Sequence, residues 1–161
     1  MERFLDHVQR LSDALDEPLP GEDAQYRMAP VSRLSRQKYL ELYEDHRTSS
    51  VMILLYPEND GRTRIMLIRR QGDSGVHSGQ IALPGGKEEQ DDISLWHTAS
   101  RETEEEIGVE GDQIRQAGQL TPLFIPVSKF MVHPFVGFTP FTPQFVANES
   151  EVNMLIPAGI D

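Results

Sequence analysis

Cysteine is absent from this sequence, which removes disulfide staples, thiolate zinc sites and cysteine nucleophiles together. Such a chain suits a reducing compartment, and a cytoplasmic location is the expectation. Long apolar runs are missing too. No stretch approaches the roughly 18 apolar residues of a membrane helix, and the opening MERFLDHVQRLSDALDEPLP alternates charge with apolar residues where a signal peptide has an uninterrupted core. No membrane partner is expected. Positive charge is scarce, with 15 Lys and Arg against 26 Asp and Glu and a net charge of −11. Such a balance leaves no broad cationic surface to displace counterions from a phosphate backbone, so no nucleic-acid partner is expected. What remains is a chain of 161 residues, 38% of them apolar, enough for the core of one ordinary domain.

Phe4, Val8, Leu11 and Leu15 recur at helical spacing, which predicts an amphipathic packing helix over 2–16, closed by Pro18 and Pro20. Residues 18–50 mix Pro, Gly, Ser and charges and read as an irregular leader with one short helix near 38–43. The leader and its helix (1–50) thus precede a main domain (51–161). VMILLY (51–56) and IMLIRR (65–70) flank an Asn-Asp-Gly turn, a hairpin signal whose two strands are apolar enough to be buried. A short strand QIAL, the breaker Pro84-Gly85-Gly86 and a charged helix over 93–107 follow, with Gly108 placed to end the helix. Runs around 120–127, 130–138 and 152–157 are β-like. Strands on both sides of one helix predict an α/β fold, a mixed β-sheet packed by helices. The chain stops directly after an apolar run, which reads as the edge of a trimmed piece.

The helix carries RETEEEIG (101–108). At about 100° per residue, Glu102, Glu105 and Glu106 share one sector while Glu104 points away. Ile93, Trp96, Ser100, Thr103 and Ile107 form the packing stripe. Three carboxylates at i, i+3 and i+4 repel one another, and a hard divalent cation that accepts carboxylate and phosphate oxygens relieves this. Acidic runs are most often plain solvated faces. Two neighbours set this one apart. Leu-Pro-Gly-Gly (83–86) lets backbone N–H groups approach an anion, and Arg101 can hold a carboxylate by paired hydrogen bonds.

The run GGKEEQDDISLWHTASRETEEEIGV (85–109) resembles the Nudix box, G-x5-E-x7-R-E-u-x-E-E-x-G-u with u apolar, at Gly86, Arg101, Glu102, Glu105, Glu106, Gly108 and Val109. Asp92 replaces the box's upstream Glu, the gap from it to Arg101 is one residue longer, and Thr103 stands at an apolar position. The coenzyme A pyrophosphatase branch is similar in its Asp and extra residue, and its HxGQ-u-x-u-PGG lead-in resembles His77 to Gly86. Glu149-Ser150-Glu151-Val152 resembles that branch's E-x-E-V segment. Gly75 departs from it, standing where the branch usually has a basic residue. The resemblance spans roughly 51–157 and rests mainly on 77–109.

The resemblance implies an α/β/α sandwich lacking the family's closing strand and helix, whose exposed edges would promote a homodimer. It implies hydrolysis of a nucleoside diphosphate-linked small molecule: coenzyme A or acyl-coenzyme A, giving 3′,5′-ADP and a 4′-phosphopantetheine. The alternatives are ADP-ribose, a nucleotide sugar, a dinucleoside polyphosphate or a nucleoside triphosphate, or a nucleotide-binding module without turnover. Carried over, Glu102, Glu105 and Glu106 ligate Mg²⁺ or Mn²⁺ with Gly86, Arg101 orients a carboxylate, and Glu102 or Glu106 bridges to the attacking water. Glu151 is a candidate general base or outer ligand. Arg69, Arg70 and Lys87, with Lys129, are candidates to meet substrate phosphates. Asp92 is read as a helix-start residue that satisfies free N–H groups, and His77 as a loop hydrogen-bonder. Ser78 is out of register with a G-x-S-x-G nucleophile.

Overall fold

The computed structural model describes residues 2–27, 34–59, 61–72 and 79–160. His77, Ser78 and Gly75 lie outside them. One mixed sheet carries the fold. Its central strand β1 (Arg47–Pro57) runs parallel to β7 (Phe130–Phe138), with Arg47 opposite Phe130 and Leu55 opposite Phe138. On its other side β1 pairs antiparallel with β2 (Thr63–Arg70) and with β4 (Gly85–Lys87). The predicted hairpin is present: Pro57 faces Thr63, and Gly61, at φ +81, accommodates the turn. Beyond β2 lie β3 (Ile81–Ala82) and β8 (Val152–Gly159), while β5 (Arg115–Gln119) and β6 (Leu123–Ile125) border β7.

Consecutive strand residues point to opposite faces, so β1 feeds two cores. Met52, Leu54 and Tyr56 pack with Ile68, Phe135 and the underside of α4 (Leu95–Ile107), through Ala99 and Ile107. Leu55 and Val136 face the other way and are covered by Phe4 and Val8 of α1 (Glu2–Asp16), the predicted amphipathic helix. Helices therefore lie on both faces of the sheet, giving the α/β/α sandwich. Two short helices complete the order, α2 (Gly21–Tyr26) and α3 (Arg36–Leu42). Tyr39 of α3 stacks on Phe124 of β6.

Three local expectations are corrected. Ile93 is 89% exposed and precedes the helix, whose N-cap is Ser94, its Oγ accepting from the His97 N–H at 3.1 Å. The apolar stripe thus begins at Trp96. β1 starts four residues earlier than VMILLY because the polar RTSS lies between β4 and β7, whose ladders satisfy its backbone. The third is the run around 120–127, which narrows to β6 and is preceded by β5, RQAGQ, a strand without an apolar pattern because only Ala117 is buried, beneath α1.

Candidate functional site

The carboxylates of α4 are not equivalent. Thr103 and Ile107 are fully buried beneath the helix and fix its rotation. Glu106 follows them inward and is 1% exposed, Glu102 is 13% exposed, and Glu105, on the outer flank, is 51% exposed. Glu104 points away, as expected, and accepts from the Gly111 N–H at 3.1 Å. Glu104→Gln retains an acceptor oxygen there, so assays of turnover and thermal unfolding are expected to find it within about 0.5 kcal/mol of the parent.

Beside this helix, β4 supplies two glycines with different duties. Gly85 adopts φ +153, and its N–H donates to Glu106 Oε2 at 2.8 Å. The anion that this backbone approaches is thus a carboxylate of the protein itself. A Cβ at Gly85 would fall 2.3 Å from the Ser50 backbone oxygen. At Gly86 a Cβ would fall 2.4 Å from the Glu102 carboxylate. Both glycines line a cleft and both touch a carboxylate of α4, Gly85 through its N–H and Gly86 through the space a Cβ would fill. Gly86→Ala displaces the end of a flexible side chain, whereas Gly85→Ala collides with backbone at a strained φ. Thermal melts should show Gly85→Ala losing about 1–3 kcal/mol or more. Gly86→Ala should stay folded and lose divalent-cation affinity in titration calorimetry.

The cleft, about 720 Å³, lies on the α1 face of the sheet. Gly85, Gly86, Lys87, Arg70 and Glu151 form its polar end. Arg70 Nη1 lies 3.3 Å from Glu106 Oε1, joining cleft to carboxylate. Of the other basic candidates, Arg69 is exposed and off the cleft lining. Lys129 is drawn away to Asp45 at 3.6 Å.

Arg101 organises the outer carboxylates, its Nη1 donating to Glu102 at 3.0 Å and Glu105 at 3.2 Å. Behind it stands Asp92, which the sequence reading placed at the helix start. The buried Asp92 carboxylate instead accepts from Arg101 Nε at 3.0 Å and Nη2 at 3.1 Å, from the Thr98 hydroxyl at 2.9 Å and from the Glu89 N–H at 2.9 Å. It is the anchor of the arginine, and Ser94 is the cap. Hydrogen bonding to Arg101 holds Asp92 well below the usual carboxylate range.

Burial acts on the inner pair in the opposite sense. Desolvation raises Glu102, and pushes Glu106 up to about 7 against the pull of the Gly85 N–H and Arg70. Glu151 adds repulsion to both. Among the described residues no three His, Asp or Glu converge tightly enough to enclose an ion alone. The donor set nevertheless fits a hard divalent cation that keeps waters and takes substrate oxygens. Its carboxylates are raised by burial and mutual repulsion, and a Cβ-free cradle lies against Glu102.

Comparison with known proteins follows the same lines. A family model described as NUDIX domain matches residues 46–155. "Uncharacterized Nudix hydrolase NudL" of Yersinia enterocolitica is 43% identical over 88 residues, 55% of this chain and 45% of that protein. The NudL protein of Yersinia pestis is 34% identical over 123 residues, 76% of this chain and 59% of its own. "Nudix hydrolase 15, mitochondrial" of Arabidopsis thaliana is 34% identical over 115 residues, covering 70% and 40%. The chain spans about half the length of these curated relatives. Among solved structures, the NUDIX domain of Shewanella oneidensis NrtR complexed with ADP ribose aligns at TM-score 0.58 and 15% identity, over 78% of this chain and 84% of that one. A C. elegans Ap4A hydrolase aligns at 0.57 and 14%, over 70% and 80%. At these identities the likeness concerns the fold.

Proposed function

This chain belongs to the Nudix family, and we propose that it hydrolyses the pyrophosphate bond of a nucleoside diphosphate-linked small molecule, with coenzyme A or an acyl-coenzyme A as the substrate. The observation that carries the reading is that Gly85 and Gly86, which lie against Glu106 and Glu102, line the same cleft as Arg70 and Lys87. Anionic substrate and anionic protein groups meet there, and cations must stand between them.

Mg²⁺ or Mn²⁺, held by Glu102, Glu105, Glu106 and the Gly86 carbonyl, would neutralise the pyrophosphate and acidify a water. The chain's own residues do the rest. Arg70 and Lys87 orient the diphosphate along the cleft. Arg101, anchored on Asp92, fixes Glu102 and Glu105 in one geometry. Glu106, which accepts from the Gly85 N–H and pairs with Arg70, or Glu102 would bridge to the attacking water, and Glu151 in the cleft lining is the candidate general base or outer ligand. No helix among the described residues is long and apolar enough to cross a membrane. A nucleoside diphosphate-linked small molecule is the partner this reading requires.

The test is product analysis by mass spectrometry after incubating the protein and divalent cation with coenzyme A, ADP-ribose, NADH, a diadenosine polyphosphate and nucleoside triphosphates. Release of 3′,5′-ADP is the expected result. Products from another member would keep the chemistry and replace the substrate. Nucleotide-induced thermal stabilisation without any product would replace the enzyme by a binding module.

A further inference from the structure

The cleft has a second end, which the chemistry above does not use. Away from Gly86, Lys87 and Arg70 it is lined by Ile125, Ser128, Phe130 and Val132. Ile125 and Phe130 are cross-strand partners closing the hairpin between β6 and β7. The hairpin is held firmly. Lys129, at φ 54, makes its turn, and the Lys129 carbonyl accepts from the Arg47 N–H at 2.9 Å. The ammonium of Lys129 lies 5.1 Å from the Tyr43 ring centroid, and Asp45 fixes the same group. Arg47 is the neighbour of interest. Its guanidinium carbon lies 4.2 Å from the Phe130 ring centroid, and its Nη2 donates to the Ser128 carbonyl at 2.9 Å.

Phe130 lines the cleft while Arg47, whose guanidinium lies over its ring, does not, which sets the ring between guanidinium and cleft. A core phenylalanine does not need a pinned cation behind it, whereas a stacking platform gains from one, because the cation draws π density away from the open side. The distance is also suitable. The register puts Gly86 opposite Ser50 and Phe130 opposite Arg47, three residues along β1 and two strands across, about 14 Å at ordinary strand spacings. A nucleoside with its diphosphate at Gly86 would reach Phe130 with its base along this lining.

We propose that Phe130, backed by Arg47, is the platform on which the substrate's nucleobase stacks. The assignment rests on reading the cleft as a nucleoside diphosphate site, and it adds what discriminates a nucleotide from any other pyrophosphate. Base stacking of this kind is worth about 5- to 100-fold in affinity.

The experiment is calorimetric binding of AMP and of ribose 5-phosphate to the whole chain with divalent cation absent, which reads the base alone and does not depend on turnover. The parent should bind AMP more tightly than ribose 5-phosphate. Phe130→Leu should weaken AMP about 5- to 100-fold without changing ribose 5-phosphate, and Phe130→Tyr should restore the difference. Equal affinities in the parent, or a Phe130→Leu protein that keeps the preference, would overturn the platform. A parent that shows the preference yet hydrolyses no pyrophosphate would sink the proposed function and leave the platform standing.

Discussion

Replacing Glu106 by Gln is expected to lower turnover about 10²- to 10⁴-fold while making the metal-free protein more stable at pH 8. The two effects have one origin. Glu106 is a carboxylate at 1% exposure, and burial pushes its pKa from an ordinary 4.5 up to about 7. A group whose folded pKa is raised contributes stability that is fully present below the unfolded value and lost as pH rises through the folded one. The metal-free parent should therefore weaken between about pH 5 and 8, by roughly 2–3 kcal/mol for a shift of this size. The Gln variant has no charge to bury and should not. Its oxygen still accepts from the Gly85 N–H, so the fold is kept. Melts in chelator should give the variant a Tm several degrees above the parent at pH 8 and equal to it near pH 4.5. Divalent cation should raise the parent's Tm at pH 8 and barely move the variant's. A variant that fails to fold would make Glu106 a structural group and remove it from the chemistry.

The rotation of α4 was legible because Thr103, Ile107 and the three glutamates follow one helical period, and period is what a sequence records. The inequality of the glutamates was not. It depends on β4 passing beside the helix, a contact between segments about 20 residues apart. Gly85 and Gly86 looked alike as breakers. Their separate duties, one donating an N–H at φ +153 and one yielding space to Glu102, emerge only when β1 and α4 flank them. Phe130 read as an ordinary strand residue for a similar reason, since Arg47, the residue that gives it another meaning, lies far off in the chain and is brought near by a parallel pairing. β5 stayed hidden because one face of RQAGQ is solvent and the other admits little side chain. A Cβ on Gly118 would fall 2.7 Å from Leu15 of α1, so close helix approach replaces apolar bulk there.

Asp92→Ala is expected to cost about 3 kcal/mol, a Tm loss on the order of 10 °C. Asp92 sits at the root of a chain of charges that runs through Arg101 to Glu102 and Glu105. Removing it leaves Arg101, 19% exposed, with only Glu102, Glu105 and the Lys87 carbonyl, and takes the acceptor of the Glu89 N–H and the nearest polar partner of the Thr98 hydroxyl and the His97 ring. The departure from the usual box becomes intelligible here. One extra residue before Arg101 lets a shorter acid reach both Nε and Nη2, so Asp92→Glu should recover less stability than Asp92 itself provides. The pH signature separates this anchor from Glu106. Asp92 is held below the ordinary carboxylate range, so its contribution is present above the unfolded value near 3.8 and lost as pH falls through the lowered one. The metal-free parent should thus be most stable at mildly acidic pH, declining toward pH 8 through Glu106 and toward strong acid through Asp92. Asp92→Asn should keep the alkaline decline and flatten the acid one, and turnover should fall about 10- to 100-fold because Arg101 no longer fixes the glutamates it pairs with. An Asn variant with unchanged Tm and an unchanged acid limb would show that Arg101 needs no anchor, and that Glu102 and Glu105 hold it unaided.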